Sequence, residues 1–136
     1  MAVDSVPSIS VHITITIDPS NNEAFLEALK PTFEAATKEP LNTSMEVFQD
    51  ENTPGVFRIV ENWNASIDYM MNVGASYLLG GPMRIPKLTY GGEQVQRNKD
   101  YYKPYFAATE PMYLKPLEAN VYSRFPGKQW KSIKEN

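Results

Sequence analysis

The residues with the most chemistry to offer stand at the end of Val56-Phe57-Arg58-Ile59-Val60-Glu61-Asn62-Trp63, where a carboxylate and an indole are two positions apart. In a strand, Glu61 shares a face with Ile59 and Trp63. If that face is half-buried, desolvation raises the carboxyl's pKa toward the range that suits a proton acceptor. The plainer alternative is an ion pair with Arg58 or Arg124. Trp63 brings a flat wall for stacking on an aromatic substrate and one N–H donor that would polarise a substrate oxygen; it suits a core or interface position equally well. Asn62 and Asn64 read most simply as turn and cap residues.

His12 is the one histidine, a candidate general base or haem ligand. It shares a parity with Thr14 and Thr16, opposite Val11, Ile13 and Ile15, and one strand alone does not say which parity faces a pocket. A hydrogen-bonded histidine on an open sheet is the competing reading. Tyr101, Tyr105 and Phe106 fall at roughly helical spacing, as packing aromatics or as phenols that donate to a bound substrate; Pro104 limits the regularity of that helix. With no cysteine, a single histidine and scattered carboxylates, the chain offers no metal-ligand spacing and no thiolate chemistry. Phosphate-cradling loops, nucleophile elbows and dinucleotide fingerprints are absent from the text.

These residues need a frame, and 136 residues is one domain's worth of chain. The net charge of −3 and a sequence pI near 5.2 argue against a nucleic-acid or anionic-membrane partner. The N-terminal residues lack the basic and apolar runs of a signal peptide, so a cytoplasmic protein is expected. Ile9, Val11, Ile13, Ile15 and Ile17 alternate with polar residues, the clearest strand in the sequence. Asp18-Pro19-Ser20 ends it, and Ser20 with Glu23 has the spacing of a capping box. Phe25, Leu26, Leu29, Phe33 and Ala36 then predict an amphipathic helix from about Asn21 to Thr37, kinked or split at Pro31. Strands follow over Asn42 to Gln49 and Val56 to Trp63 as a hairpin. Helices are expected from near Ile67 to Met71 and from Tyr101 to Ala108, with a last strand over Glu118 to Arg124. The sum is an α+β chain, the ferredoxin-like β-α-β-β-α-β arrangement with helices on one face of an antiparallel sheet. The other face is expected to be apolar and uncovered, which predicts a homodimer of face-to-face sheets. The tail over residues 127–136 reads as a solvated end.

Residues 73–94 break the pattern, holding five of the chain's seven glycines with no sustained period. They read either as a lid with glycine hinges or as a retained intron. Val73 is encodable by a triplet opening with GT, Gln94 by CAG, and Leu88-Thr89 by CTA-ACN, which contains a branch-like CTAAC. Removing residues 73–94 keeps the frame, joins Met70-Met71-Asn72 to Val95-Gln96-Arg97 and restores a continuous helical segment.

Val11-His12-Ile13-Thr14-Ile15 leading into Glu23-Ala24-Phe25-Leu26, with a hairpin ending Val60-Glu61-Asn62-Trp63, resembles the antibiotic biosynthesis monooxygenase family of dimeric α+β barrels, most closely its small members from filamentous fungi. The resemblance runs over Ile9 to Asn72 and Arg97 to Arg124 and leaves out residues 73–94. It implies a cofactor-free oxygenase that acts with dioxygen on phenols or anthrones of polyketide pathways, as a homodimer. In such members the enolised substrate itself activates oxygen and the protein supplies deprotonating and oxyanion-stabilising groups. Trp63 matches the family's tryptophan. Many members carry a histidine soon after the E-x-W, where this chain has Tyr69, Tyr101 and Tyr102, a departure that tells against haem-degrading chemistry. The resulting expectation assigns catalysis to His12, Glu61 and Trp63 and substrate contact to Asn62, Tyr69, Tyr101 and Tyr105. A cyclase or decarboxylase on the same fold, or a dimeric ligand-binding barrel without activity, are the alternatives.

Overall fold

Period-two alternation of β-branched residues is what builds the centre of the sheet. The computed structural model describes residues 8–66, 102–132 and 134. The helix expected from Ile67, the segment 73–94, Tyr69 and Tyr101 lie outside the described residues. Strand β1 (Ile9–Thr16) is flanked on one side by β3 (Val56–Trp63) and on the other by β4 (Glu118–Ser123), while β2 (Asn42–Gln49) pairs with β3 at the edge. All pairings are antiparallel, giving the order β2-β3-β1-β4 of a ferredoxin-like sheet. Helix α1 (Asn22–Thr37) follows β1 and helix α2 (Tyr102–Thr109) precedes β4. Among the described residues no helix is long and apolar enough to cross a membrane.

Both helices lie on the face of β1 that carries the isoleucines. Ile9, Val11, Ile13, Ile15 and Ile17 are buried with Phe57, Ile59 and Trp63 of β3, under Phe25 and Leu29 of α1 and Tyr105 and Phe106 of α2. Phe25 locks the layers together, its ring 4.9 Å from that of Phe57 and 6.5 Å from that of Tyr105.

Three expectations are corrected. Helix α1 runs through Pro31 as one element, because the proline stands on its exposed side and the buried stripe of Phe25, Leu29, Thr32 and Ala36 holds both halves to the sheet. The Ser20–Glu23 box does not open it: the Asp18 carboxylate accepts from the Ser20 backbone N–H at 2.9 Å and hydroxyl at 2.8 Å, and a 3-10 turn over Pro19–Asn21 leads in. The sheet face turned away from the helices is not apolar. It carries Ser10, His12 and Thr14 beside Arg58, Val60 and Asn62, with Ser44, Glu46 and Phe48 on β2 and Glu118, Asn120 and Tyr122 on β4. The polar parity of β1 fixes this, since its partners across the ladder share its face.

Gly55 shows how tightly the hairpin loop lies against the end of β1. Its carbonyl accepts from the Ile17 N–H at 2.8 Å, and a Cβ there would overlap the Ile17 carbonyl.

Candidate functional site

Glu61 and Trp63 stand two residues apart on β3 and both turn toward the helices, as the alternation requires. Their exposures are 1% and 3%, so the expected half-burial of the carboxyl is in fact complete. The Trp63 indole N–H donates to Glu61 Oε1 at 2.8 Å. Glu61 Oε2 is buried and has no hydrogen-bond partner among the described residues. A carboxylate so placed loses its hydration without regaining it from the protein. Burial pushes its pKa from the ordinary 4.5 up to about 7, with the Trp63 hydrogen bond pulling the other way.

Neither arginine neutralises it. Arg58 is on the opposite face of the same strand, and the Arg124 guanidinium donates to Ser8 Oγ at 3.1 Å and Thr43 Oγ1 at 3.2 Å. A carboxyl that titrates near neutrality, held by one oxygen and without a partner at the other among the described residues, has the chemistry to take a proton and give it back. The arrangement also changes the part open to Trp63. Its only donor is spent on Glu61, so it orients the carboxyl rather than polarising a substrate oxygen.

Tyr105 joins the site from α2. It is 2% exposed, and its hydroxyl is buried with no hydrogen-bond partner among the described residues. Burial, then the neighbouring Tyr113 and Glu61, push its ionisation well above the usual phenol range, so it stays a neutral donor at any ordinary pH. Tyr113 also has a buried hydroxyl without a hydrogen-bond partner among the described residues, and an ionisation raised by burial. The spacing of Tyr101, Tyr105 and Phe106 gave no sign of Tyr113; it comes near Tyr105 because the bridge between Ile17 and Tyr113 brings the chain back to β1.

His12 and Asn62 are elsewhere. Both are on the open face of the sheet, across it from Glu61 and Trp63. His12 Nε2 is 3.0 Å from Ser10 Oγ, and its ring meets that of Tyr122 edge-on at 4.8 Å. Partial burial, then Arg58, lower its pKa, so it is neutral near pH 7. Asn62 Nδ2 donates to Ser44 Oγ at 2.8 Å. The structure thus gathers Glu61, Trp63 and Tyr105 and separates them from His12 and Asn62.

A residue that the sequence gave no reason to single out completes the surroundings. Met45 of β2 lies directly across the ladder from Glu61 on the same face, and it lines an open groove of about 460 Å³ between α1 and β2. The hairpin register alone could have revealed it.

The sequence of residues 8–68 matches the model of the family described as antibiotic biosynthesis monooxygenase. A protein of Pestalotiopsis microspora named "Putative monooxygenase GME11364" is 44% identical over 133 residues, covering 98% of this chain and 92% of its own. Among solved structures, a putative antibiotic biosynthesis monooxygenase from Caulobacter crescentus CB15 superposes with a TM-score of 0.63 at 17% identity, over 90% of this chain and 93% of its own. A conserved protein from Methanosarcina mazei Go1 gives 0.61 at 18% identity, over 90% and 97%. These two share the fold; the family assignment rests on the sequence matches. The chain belongs to the antibiotic biosynthesis monooxygenase family.

Proposed function

We propose that this protein is a cofactor-independent monooxygenase acting on a phenolic or anthrone-type aromatic polyketide in secondary metabolism, with Glu61 as the base. The observation that carries this reading is the Glu61 carboxyl: buried, unpaired by either arginine among the described residues, titrating at about 7 and fixed by the indole beside it. Glu61 takes a proton from the acidic methylene of the substrate or from its enol. The enolate is electron-rich enough to reduce dioxygen, and a carbon–oxygen bond forms at the former methylene carbon. Cleavage of the O–O bond with loss of water leaves a carbonyl there. One dioxygen is consumed per turnover: one atom enters the quinone, and the other leaves as water with the two methylene hydrogens. Trp63 positions Glu61, and the neutral Tyr105 phenol donates to the developing oxyanion.

The test is oxygen uptake with anthrone, followed with the appearance of anthraquinone. One dioxygen per quinone is expected, and Glu61→Gln lowers kcat by about 100-fold or more, the usual weight of a general base. His12→Ala keeps turnover, because the imidazole faces the other side of the sheet. Carbon dioxide release without oxygen uptake would replace this reading with a decarboxylase using the same carboxyl; wild-type turnover in Glu61→Gln would remove Glu61 as the base. We further propose a homodimer through the open sheet face, where Phe48 and Tyr122 are 45% and 51% exposed. Sedimentation of Phe48→Glu as a monomer would support it, and an unchanged dimer would move the interface elsewhere.

A further inference from the structure

The groove between α1 and β2 has a position that the sequence does not announce. Its floor is apolar, made by Leu26, Leu29 and Phe33 of the helix and Met45 and Val47 of the strand, and Lys30, Glu34 and Glu46 stand at its edge. Its volume of about 460 Å³ lies inside the range of roughly 300–1,000 Å³ usual for small-molecule sites. Met45 and Glu61 are direct partners across the ladder, so their Cβ atoms are about 5 Å apart on the same face. The Met45 side chain therefore forms part of the groove wall and adjoins a buried carboxyl with one unpartnered oxygen. Methionine is unbranched and has three rotatable bonds, so a wall made of it yields to a ligand more easily than one of valine or isoleucine.

We propose that this groove is the binding site for the flat aromatic substrate, whose reacting edge reaches the buried Glu61 carboxyl when the intervening Met45 side chain changes rotamer. The inference rests on the monooxygenase reading for the identity of the ligand, and on the groove and the strand register for its place. Two carboxylates and one ammonium at the rim favour an uncharged polyphenol over an anionic ligand, and Lys30 is placed to donate to a ring hydroxyl or ketone near the mouth.

The probe is 1,8-dihydroxyanthraquinone, which has the ring system but no methylene hydrogen to lose, so binding is read without turnover. In the full-length protein with methyl-labelled methionine, titration is expected to shift the Met45 methyl resonance, identified by its loss in Met45→Leu. Leu26 is 44% exposed at the groove, so Leu26→Trp fills it without disturbing the core, and a rise in Kd of at least 10-fold is expected. Leu114→Ala, at an exposed side chain outside the groove, leaves Kd unchanged. An unmoved Met45 methyl together with an unchanged Kd in Leu26→Trp would overturn the proposal. The two readings fail separately: binding in the groove without any oxygen uptake from anthrone removes the monooxygenase and keeps the groove, whereas full oxygen uptake in Leu26→Trp removes the groove and keeps the monooxygenase.

Discussion

Replacing Glu61 by glutamine should make the protein more resistant to unfolding as pH rises, and the size of the effect follows from burial. In the unfolded chain the carboxyl ionises at about its ordinary 4.5, whereas in the fold it holds its proton to about 7. Between these values the unfolded state binds fewer protons than the native one, so stability falls as pH rises. At about 1.36 kcal/mol per pH unit across the window from 4.5 to about 7, the loss comes to roughly 3 kcal/mol, complete above pH 7 and absent below 4.5. Glutamine has no such window. Its carbonyl still accepts from Trp63, and its buried amide introduces a pH-independent offset of about 1–3 kcal/mol. The informative quantity is therefore the difference in slope. Urea unfolding of both proteins at intervals from pH 4 to 8 should show the wild type losing roughly 3 kcal/mol relative to the variant between pH 4.5 and 7, with parallel curves above. In thermal melts this is a relative shift on the order of 10 °C for a chain of this size. Curves parallel across the whole range would mean that the carboxyl ionises as it would at a surface, and the argument for Glu61 as a base poised near neutrality would fall with it.

Trp63→Phe keeps the ring but removes the donor to Glu61, so the upper end of the same titration window should move above pH 7 and turnover should fall; a window that stays in place would show the indole hydrogen bond to be idle. Pro31→Ala restores a helix hydrogen bond inside α1 at an exposed position and should stabilise by roughly 2 kcal/mol, the interior-proline cost of about 3 less about 1 for the greater freedom of the unfolded chain; no gain in urea midpoint would count against it. Gly55→Ala forces a methyl group into the Ile17 carbonyl and should cost about 1–3 kcal/mol, read as a lower melting temperature, and an unchanged melt would mean that the hairpin loop gives way freely. Transcript reads across the Asn72 codon should include messages lacking residues 73–94, and their absence from all reads would end the retained-intron reading.

Most of the sheet was legible because β-branched alternation leaves little choice: the sequence limits of β2 and β3 match the structure, and β4 differs by one residue. The shared face of Glu61 and Trp63 follows from the same period. What alternation does not encode is which face the helices take. His12 was therefore ambiguous until Phe25 and Leu29 packed on the isoleucine side. The fate of Arg124 was equally out of reach, since its guanidinium is drawn to Ser8 and Thr43 by the pairing of β4 with β1, a contact between chain ends. The polar character of the open face, by contrast, was already written in Ser10, His12, Thr14 and Thr16. Asp18 took the helix entry from Ser20 because its carboxylate reaches two donors of the same serine, an advantage visible only once the turn at Pro19 is drawn.

The isolation of Glu61 is the point at which stability and function separate. A fold has no structural use for a fully buried carboxyl that costs roughly 3 kcal/mol at neutral pH, a sizeable part of the roughly 5–15 kcal/mol that holds a domain together. Methionine or leucine at this position would fill the same space beside Met45 and Ile59 without that cost. Structural ion pairs justify buried carboxylates elsewhere, and here both arginines among the described residues, Arg58 and Arg124, are directed elsewhere. Places where a sequence breaks the rules of its own core, with a contact that only partly compensates, are where function is expected to lie. On the proposed assignment of Glu61 as the base, the hydrogen bond from Trp63 is a restraint on a reactive group: it lowers the cost of burying the carboxyl, keeps one oxygen still and leaves the other for a substrate.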